Sequence, residues 1–371
     1  MKTMDKWLTI TVAAYNAQKY LHRCLRSIAG CGAYLDKIEV LVVNDGSTDG
    51  TEEIAQQFAK AYPRSFFVIT KKNGGHGSAI NKGIQKAHGR YFLVLDADDW
   101  LDSEALVELV KTIGCMKDTL PDLISCHYSR VDLETGASTP VRQEQVTFRK
   151  IYPFAELPVS DVYFALASIC YRTSLLQSMQ LVIQEHTYYA DVEYMLLPMP
   201  YVETVYFLDL YLYKYFVGNT EQSIYLPTMV KRYAHHNRVM HRVIDTLAAD
   251  TANLSGRKKA YVWQILEKLL YTHYAISLVY DENHARGALR AKKFDAYLKY
   301  TSFALYERME KTVPFLRIYR KYDFSVSRVQ KAYGYRVYLK CLDFCKTMYV
   351  KICRIYGWWI KGENKEAGKH V

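Results

Sequence analysis

Between residues 7 and 95 the chain alternates short, nearly continuous apolar runs with stretches of helical spacing. The run 7–14 (WLTITVAA) is β-branched and apolar throughout, the pattern of a strand covered on both faces. Residues 17–28 follow, with Leu21, Leu25 and Ile28 on one helical face. The run 38–44 (IEVLVVN) predicts a second strand, closed by the turn residues Asp45-Gly46-Ser47. Thr48 or Asp49 can cap a helix beginning near Thr51, where Glu52 and Glu53 suit the positive end of the helix dipole. A third strand is expected at 66–70, a helix at 77–87, and a fourth strand at 91–95 that stops at Asp96. Strands and helices that alternate in this way predict an α/β fold: a mostly parallel sheet with helices on both faces.

Beyond Trp100 the alternation weakens. Residues 123–128 and 203–215 read as further strands, and after Pro227 the pattern is helical, at 229–247, 258–280 and 290–311, with a long helix over 326–359. The expected organisation is a catalytic domain over 1–226 followed by a helical C-terminal region over 227–371.

Charge sharpens this division. Of the net charge of +11, nearly all lies between Lys311 and Lys361, where twelve Lys or Arg face only Asp323 and Asp343. The wheel of the last helix puts Tyr335, Tyr338, Leu342, Cys345, Tyr349, Ile352 and Tyr356 on one stripe. Arg336, Lys340, Lys351, Arg354 and Lys361 lie largely opposite, and Trp358 and Trp359 close the element. That composition suits the surface of an anionic membrane, and equally a helix packed on the catalytic domain with a solvated basic face. No nucleic-acid-binding motif accompanies it, so no nucleic-acid partner is expected. The eight cysteines form no CxxC pair and read as free thiols. No secretory leader pattern is visible, and no run approaches the length of a membrane span. The expected location is the cytoplasm, peripheral on the inner face of the plasma membrane if the basic helix engages lipid. A homodimer is compatible with the sequence.

In an open parallel sheet, ligands collect beyond the carboxyl ends of the strands. The polar turns fall there in series: Ala13-Ala14-Tyr15-Asn16, Asn44-Asp45-Gly46-Ser47, Lys71-Lys72-Asn73-Gly74-Gly75-His76-Gly77 and Asp96-Ala97-Asp98-Asp99. Together they describe a ligand cleft. Clustered carboxylates repel unless a cation neutralises them, and alternation puts Asp96 and Asp98 on one side. Oxygen donors of this kind suit Mg²⁺ or Mn²⁺ completed by diphosphate oxygens. Gly74, Gly75 and Gly77 let backbone N–H groups approach an anion ahead of a helix, and His76 reads first as a loop histidine with a hydrogen-bonding role, with approach to the phosphates or the metal as the alternative.

Residues 7–101 resemble the donor-binding half of family 2 glycosyltransferases with the GT-A fold. The resemblance is carried by Ala14-Tyr15-Asn16, Val43-Asn44-Asp45-Gly46-Ser47-Thr48-Asp49, Asn73-x-Gly75, Asn81-x-Gly83 and Asp96-Ala97-Asp98-Asp99. It continues more weakly through Tyr189-Ala190-Asp191-Val192-Glu193-Tyr194 and Gly218-Asn219-Thr220-Glu221-Gln222-Ser223. The resemblance implies a nucleotide-sugar donor, a UDP-sugar with uridine as the preferred base, and a glycan or lipid-linked acceptor of the cell envelope. It implies donor-nucleotide contacts at Ala14, Tyr15, Asn16, Asp45, Asn73, Gly75, Asp96 and Ala97, with Tyr15 stacked on the base and Asp45 accepting a hydrogen bond from it. Asp98, helped by Asp96, would hold the metal, and Asp191 would be the catalytic base. Asp99, Trp100, Gln222 and Ser223 would reach the acceptor or the diphosphate. The chain departs from the family pattern at Ala13, where proline is usual, at Ile80, where arginine is frequent, and at Ala190, where glutamate often stands. Lys72 or Lys82 is the candidate cation in place of that arginine.

Sugar transfer needs a stabilised leaving diphosphate and a separate carboxylate to take the acceptor proton. Asp191 and Glu193 are the candidates, and one base without an enzymic nucleophile predicts inversion at the sugar carbon. A sugar nucleotidyltransferase would want a glycine-rich, basic motif directly after the first strand, which Ala13-Ala14-Tyr15-Asn16 is not. A non-catalytic sugar-nucleotide-binding or scaffold subunit is the alternative of a different class, and the presence of Asp45, Asp96, Asp98 and Asp191 argues against it.

Overall fold

The alternation of the first hundred residues becomes β1 (Leu8–Ala14), α1 (Gln18–Ala29), β2 (Ile38–Asn44), α2 (Thr51–Ala61), β3 (Phe66–Thr70), α3 (His76–Lys86) and β4 (Tyr91–Asp96) in a computed structural model. The structure describes residues 5–116, 119–159, 162–217, 226–254 and 256–355. The chain divides into two units, Met1–Asn219 with Leu254–Ala260, and Thr220–Asn253 with Tyr261–Val371.

In the first unit β3, β2, β1 and β4 lie side by side, all parallel. The apolar runs of β1, β2 and β4 are buried because helices cover both faces of the sheet, whereas the edge strand β3 buries only Phe66. Register levels the strand ends: Ala14 lies opposite Asn44, Ala13 opposite Asp96, and Asn44 opposite Thr70. The turns after these strands therefore open at one edge.

The next segment adds β5 (Trp100–Leu101), α4 (Ser103–Cys115), β6 (Leu123–Asp132), β7 (Ser138–Val141), β8 (Ile151–Pro153), β9 (Ile169–Arg172), α5 (Thr173–Ser178), α6 (Asp191–Leu196) and β10 (Thr204–Val217). Here the sheet becomes mixed. β9 is antiparallel to both β4 and β6, whereas β10 is parallel to β6 and antiparallel to β5. The parallel pattern read from residues 7–95 thus describes one half of a mixed sheet. β10 shifts register against β6 between Phe207 and Tyr211 and again between Tyr211 and Tyr213. Irregularities of this kind re-aim side chains, and they bring Tyr213 level with Leu101 at the carboxyl edge.

The second unit is helical: α7 (Leu226–Lys231), α8 (Tyr233–Asn253), α9 (Gly256–Leu278, its start counted with the first unit), α10 (His284–Thr301), α11 (Phe303–Thr312), α12 (Pro314–Lys321), α13 (Val326–Tyr333) and α14 (Tyr335–Ile355). The single helix expected over 326–359 is broken at Gly334, whose φ of 79° lies in the left-handed region that ends helices. The helix expected over 290–311 is divided at Ser302. Of the aromatic stripe on the last helix, Tyr338 and Leu342 are buried within this unit, and Tyr338 Oη lies 3.1 Å from Tyr319 Oη. Val337, Leu339 and Phe344 are exposed instead. Tyr356, Trp358, Trp359 and Lys361 lie outside the described residues. No helix among the described residues is long and apolar enough to cross a membrane.

Two buried polar groups hold this unit. Arg320 donates to Asp295 at 2.7 Å, Tyr274 donates to the same carboxylate at 2.6 Å, and the guanidinium lies over the Tyr306 ring. Beside them, His236 Nδ1 lies 2.9 Å from His273 Nδ1, so one ring must donate and the other accept. Burial pulls His236 down to about 4 and His273 well below the usual histidine range, where His236 and His241 add to the effect. An unfolded histidine titrates near ~6.5, so between about 4 and 6.5 the unfolded chain binds more protons than the folded one. The stability from these neutral rings is complete above that window and is lost as pH falls through it. Thermal unfolding of the full chain should show a loss on the order of 3 kcal/mol from His236 between neutrality and pH ~4. His273→Phe should flatten that slope in circular-dichroism melts.

Candidate active site

The first two turns of the carboxyl edge are tied to each other. Asn16, with φ 46°, donates its amide to Ser47 Oγ at 3.0 Å and accepts from the Thr48 amide at 2.8 Å. The Asp49 carboxylate accepts from the Gln18 amide at 3.1 Å. Ala14 is buried beneath this lattice, while Tyr15 is 54% exposed, a free aromatic face at the rim.

Asp45 organises the third turn. Its carboxylate accepts from Lys71 Nζ at 2.6 Å, from the Gly75 amide at 2.7 Å, from the Gly74 amide at 3.0 Å and from Ser78 Oγ at 3.2 Å. Those donors fill the acceptor positions of the carboxylate, and the residue is 3% exposed. Asp45 therefore shapes the glycine turn in this structure, and Asn73 supports it by donating to the Asp45 carbonyl at 2.9 Å. Gly75 caps α3, and Gly77 follows in its first turn, where a Cβ would stand 2.4 Å from the Gln184 carbonyl. Only glycine permits that approach.

The segment 183–191 is held against α3. Asn81 exchanges two hydrogen bonds with the Ile183 backbone, at 2.8 and 2.7 Å, and the His186 amide donates to the Gly74 carbonyl at 2.5 Å. His186 and Tyr189 take positive φ, 51° and 68°, as the chain turns into α6. Asp191 opens that helix beside the cleft. Burial raises its carboxyl above the usual range, His76 opposes this, and the charge of Asp96 adds to it. Glu193, the other candidate base, is fully buried and accepts from the Gln184 amide at 2.9 Å, which makes it a support for the segment.

After β4 three carboxylates converge, with one oxygen from each of Asp96, Asp98 and Asp99 within 4.8 Å of the others. Each has a different environment. Asp99 is 1% exposed and accepts from Tyr213 Oη and the Phe216 amide, both at 2.7 Å. Both its carboxylate oxygens are taken up by β10 in this structure. Burial, then Asp98 and Asp96, push it well above the carboxylate range. Asp96 meets His76 Nε2 at 2.7 Å. Burial pulls that imidazole down, yet the charge and hydrogen bond of Asp96, with Asp191 and Asp98 behind, lift it to about 9. Asp98 is held up at about 6 by burial and by Asp96. The Asp98 and Asp96 oxygens form an all-oxygen, mutually repelling donor set that fits a hard divalent cation.

Four contributors were not legible as site residues. Arg23 donates to the Asp98 carbonyl at 2.7 Å and stacks 3.9 Å from the centre of the Trp100 ring, so Trp100 is engaged from below. Lys71 holds Asp45. Tyr213 holds Asp99, and Tyr215 lies within the field of Asp99, Asp96, Asp98 and Asp191, which together with burial raises its hydroxyl. Tyrosine at every second position, 211, 213 and 215, was the available signal. Of the substitutes for the family arginine, Lys72 is exposed on the turn and Lys82 bonds Gln85 on α3. Ile80 itself is buried. Gln222 and Ser223 lie outside the described residues.

Comparison with known proteins points the same way. Residues 9–173 match the model of the family described as glycosyl transferase family 2. The chain is 36% identical over 129 residues to the putative glycosyltransferase EpsH of Bacillus subtilis, covering 35% of this chain and 36% of that protein. It is 36% identical over 109 residues to the minor teichoic acid biosynthesis protein GgaB of the same organism, covering 29% and 12%. These matches span well under two thirds of either relative. The crystal structure of S. aureus TarS residues 1–349 in complex with UDP-GlcNAc aligns with a TM-score of 0.61 at 20% identity, over 88% of this chain and 91% of that one. That likeness is one of fold and extends into the helical region.

Asp45→Asn tests the clasp at the third turn. It keeps the shape but loses the Lys71 ion pair and one anionic acceptor for Gly74 and Gly75. Denaturant unfolding should register a loss of about 2–4 kcal/mol, and donor binding should weaken with it.

Proposed function

We propose, for a chain that belongs to glycosyl transferase family 2 through its residues 9–173, an inverting transfer of sugar from a nucleoside-diphosphate donor to an acceptor hydroxyl. The donor is a UDP-sugar and the acceptor a cell-envelope glycan or lipid-linked saccharide. The observation that supports this most is the meeting of Asp96, Asp98, His76 and Asp191 at the carboxyl edge of the sheet. The fold shared with TarS, whose structure holds UDP-GlcNAc, and the similarity to a teichoic acid biosynthesis protein support the substrate classes.

In this reading Tyr15 stacks on the base, and Ala14, Asn16 and Asp45 with Asn73 and Gly75 shape the nucleotide cleft. Asp98 and Asp96 hold Mg²⁺ or Mn²⁺, which when bound supplies Lewis-acid stabilisation of the leaving diphosphate. His76, carried protonated against Asp96, places a second positive charge at the start of α3, where anions are favoured. Asp191 accepts the proton of the attacking hydroxyl, and its partly desolvated carboxyl is a better base than an ordinary solvated aspartate. One displacement without an enzymic nucleophile inverts the anomeric carbon. The exposed Val337 and Phe344 beside Arg336 and Lys340 support reversible attachment to an anionic, cytoplasm-facing membrane surface.

Chelator should abolish transfer, Mn²⁺ or Mg²⁺ should restore it, and Asp98→Ala should weaken donor binding measured by thermal shift. Full activity of that variant in chelator would remove the metal assignment. Asp191→Asn should lower turnover by ~10²–10⁴-fold with little change in donor affinity. Normal transfer by that variant, together with loss in Glu193→Gln, would reassign the base.

A further inference from the structure

A groove of about 610 Å³ runs along the outer face of α1, below the Asp96–Asp99 turn and separate from the nucleotide side of the edge. His22 and Arg23 line it from one turn of α1, Arg26 and Ser27 from the next, and Tyr62 and Trp100 bound it. Among the described residues that line it none is acidic. Arg26 lies in the last turn of α1, where a cation complements the helix dipole. That accounts for one of the three bases. Arg23 is not at the helix end: its Nη2 is bonded to the Asp98 carbonyl and its plane lies on Trp100. The exposed Tyr62 edge and the Trp100 ring supply the aromatic surface on which the C–H faces of a sugar pack, and the volume falls within the range of small-molecule sites.

We propose that this groove binds a saccharide bearing a phosphate or carboxylate, with the acidic group placed on Arg26 and Arg23 and a sugar ring against Tyr62 and Trp100. Because Arg23 reaches both the groove and the Asp98 turn, the groove is an extension of the acceptor path. That last identification rests on the proposed transfer reaction, whereas binding itself does not. The full chain is titrated calorimetrically, without donor or metal, with a phosphorylated disaccharide, its unphosphorylated counterpart and inorganic phosphate. The phosphorylated disaccharide should bind about tenfold or more tightly than either of the others. Arg26→Glu, at an exposed position, should erase that preference while leaving UDP-sugar binding unchanged, and Arg26→Gln should lie between. Equal affinity for the two disaccharides, or an unaltered preference in Arg26→Glu, would overturn the site. Inorganic phosphate binding as tightly as the phosphorylated sugar would reduce it to a bare anion site and overturn the saccharide assignment. Absence of transfer activity alongside intact binding would count against the transferase reading and leave the groove standing.

Discussion

Three carboxylates gathered in four residues at the end of a buried strand are the constraint around which the first unit is arranged. Left alone they would repel and lift one another's proton affinity. The fold answers each separately: Tyr213 and Phe216 of β10 enclose Asp99, and His76 at the start of α3 meets Asp96. Arg23 of α1 takes the Asp98 carbonyl. The long strand, the helix start and the neighbouring helix are thus fixed relative to one short turn. The register shifts in β10 find their purpose there, since without them Tyr213 would not stand opposite Leu101.

Much of this was legible wherever the signal is local. The four parallel strands follow from continuous apolar runs, and the ligand edge follows from the polar turns that end them. Asp96 and Asp98 could be read as a pair because alternation over two residues is a property of the backbone. Asp99 could not. Its partner Tyr213 is 114 residues away, and no local pattern says which of three neighbouring acids a distant strand will claim. The same holds for Asp45: its position after β2 marks a site, but the number of donors that converge on it depends on the path of 71–78. In the helical region, periodicity located helices but not the breaks at Ser302 and Gly334, since a single residue outside helical dihedrals barely disturbs a hydrophobic repeat.

The helical unit shows the opposite economy of charge. Its surface carries most of the chain's excess of cations, yet its interior depends on neutral histidines and on a carboxylate that Arg320 and Tyr274 satisfy together. Acid acts on this unit by charging rings that have no room for a second proton. In the first unit Asp98, raised to about 6, and Asp99, raised further, take up protons at higher pH than ordinary carboxylates. The two halves of one chain therefore respond to pH through different groups.

The hydrogen bonds that hold segment 183–191 to α3 and its leading turn, Asn81 with Ile183 and Gly74 with His186, and the close approach of Gln184 to Gly77 have an evolutionary reading. Asp191 and the glycine turn are mounted on one rigid bracket, so residues 74–83 and 183–191 must vary together. Lengthening either piece would move Asp191 relative to the glycine turn. Variation is then free to act elsewhere: in the β6–β7 hairpin, in the stretch leading to β9, and along the outer face of α1. A chimera that exchanges those parts between relatives has a mechanical reason to retain turnover, whereas one spliced between residues 83 and 183 from different parents would inherit a bracket whose two halves no longer match.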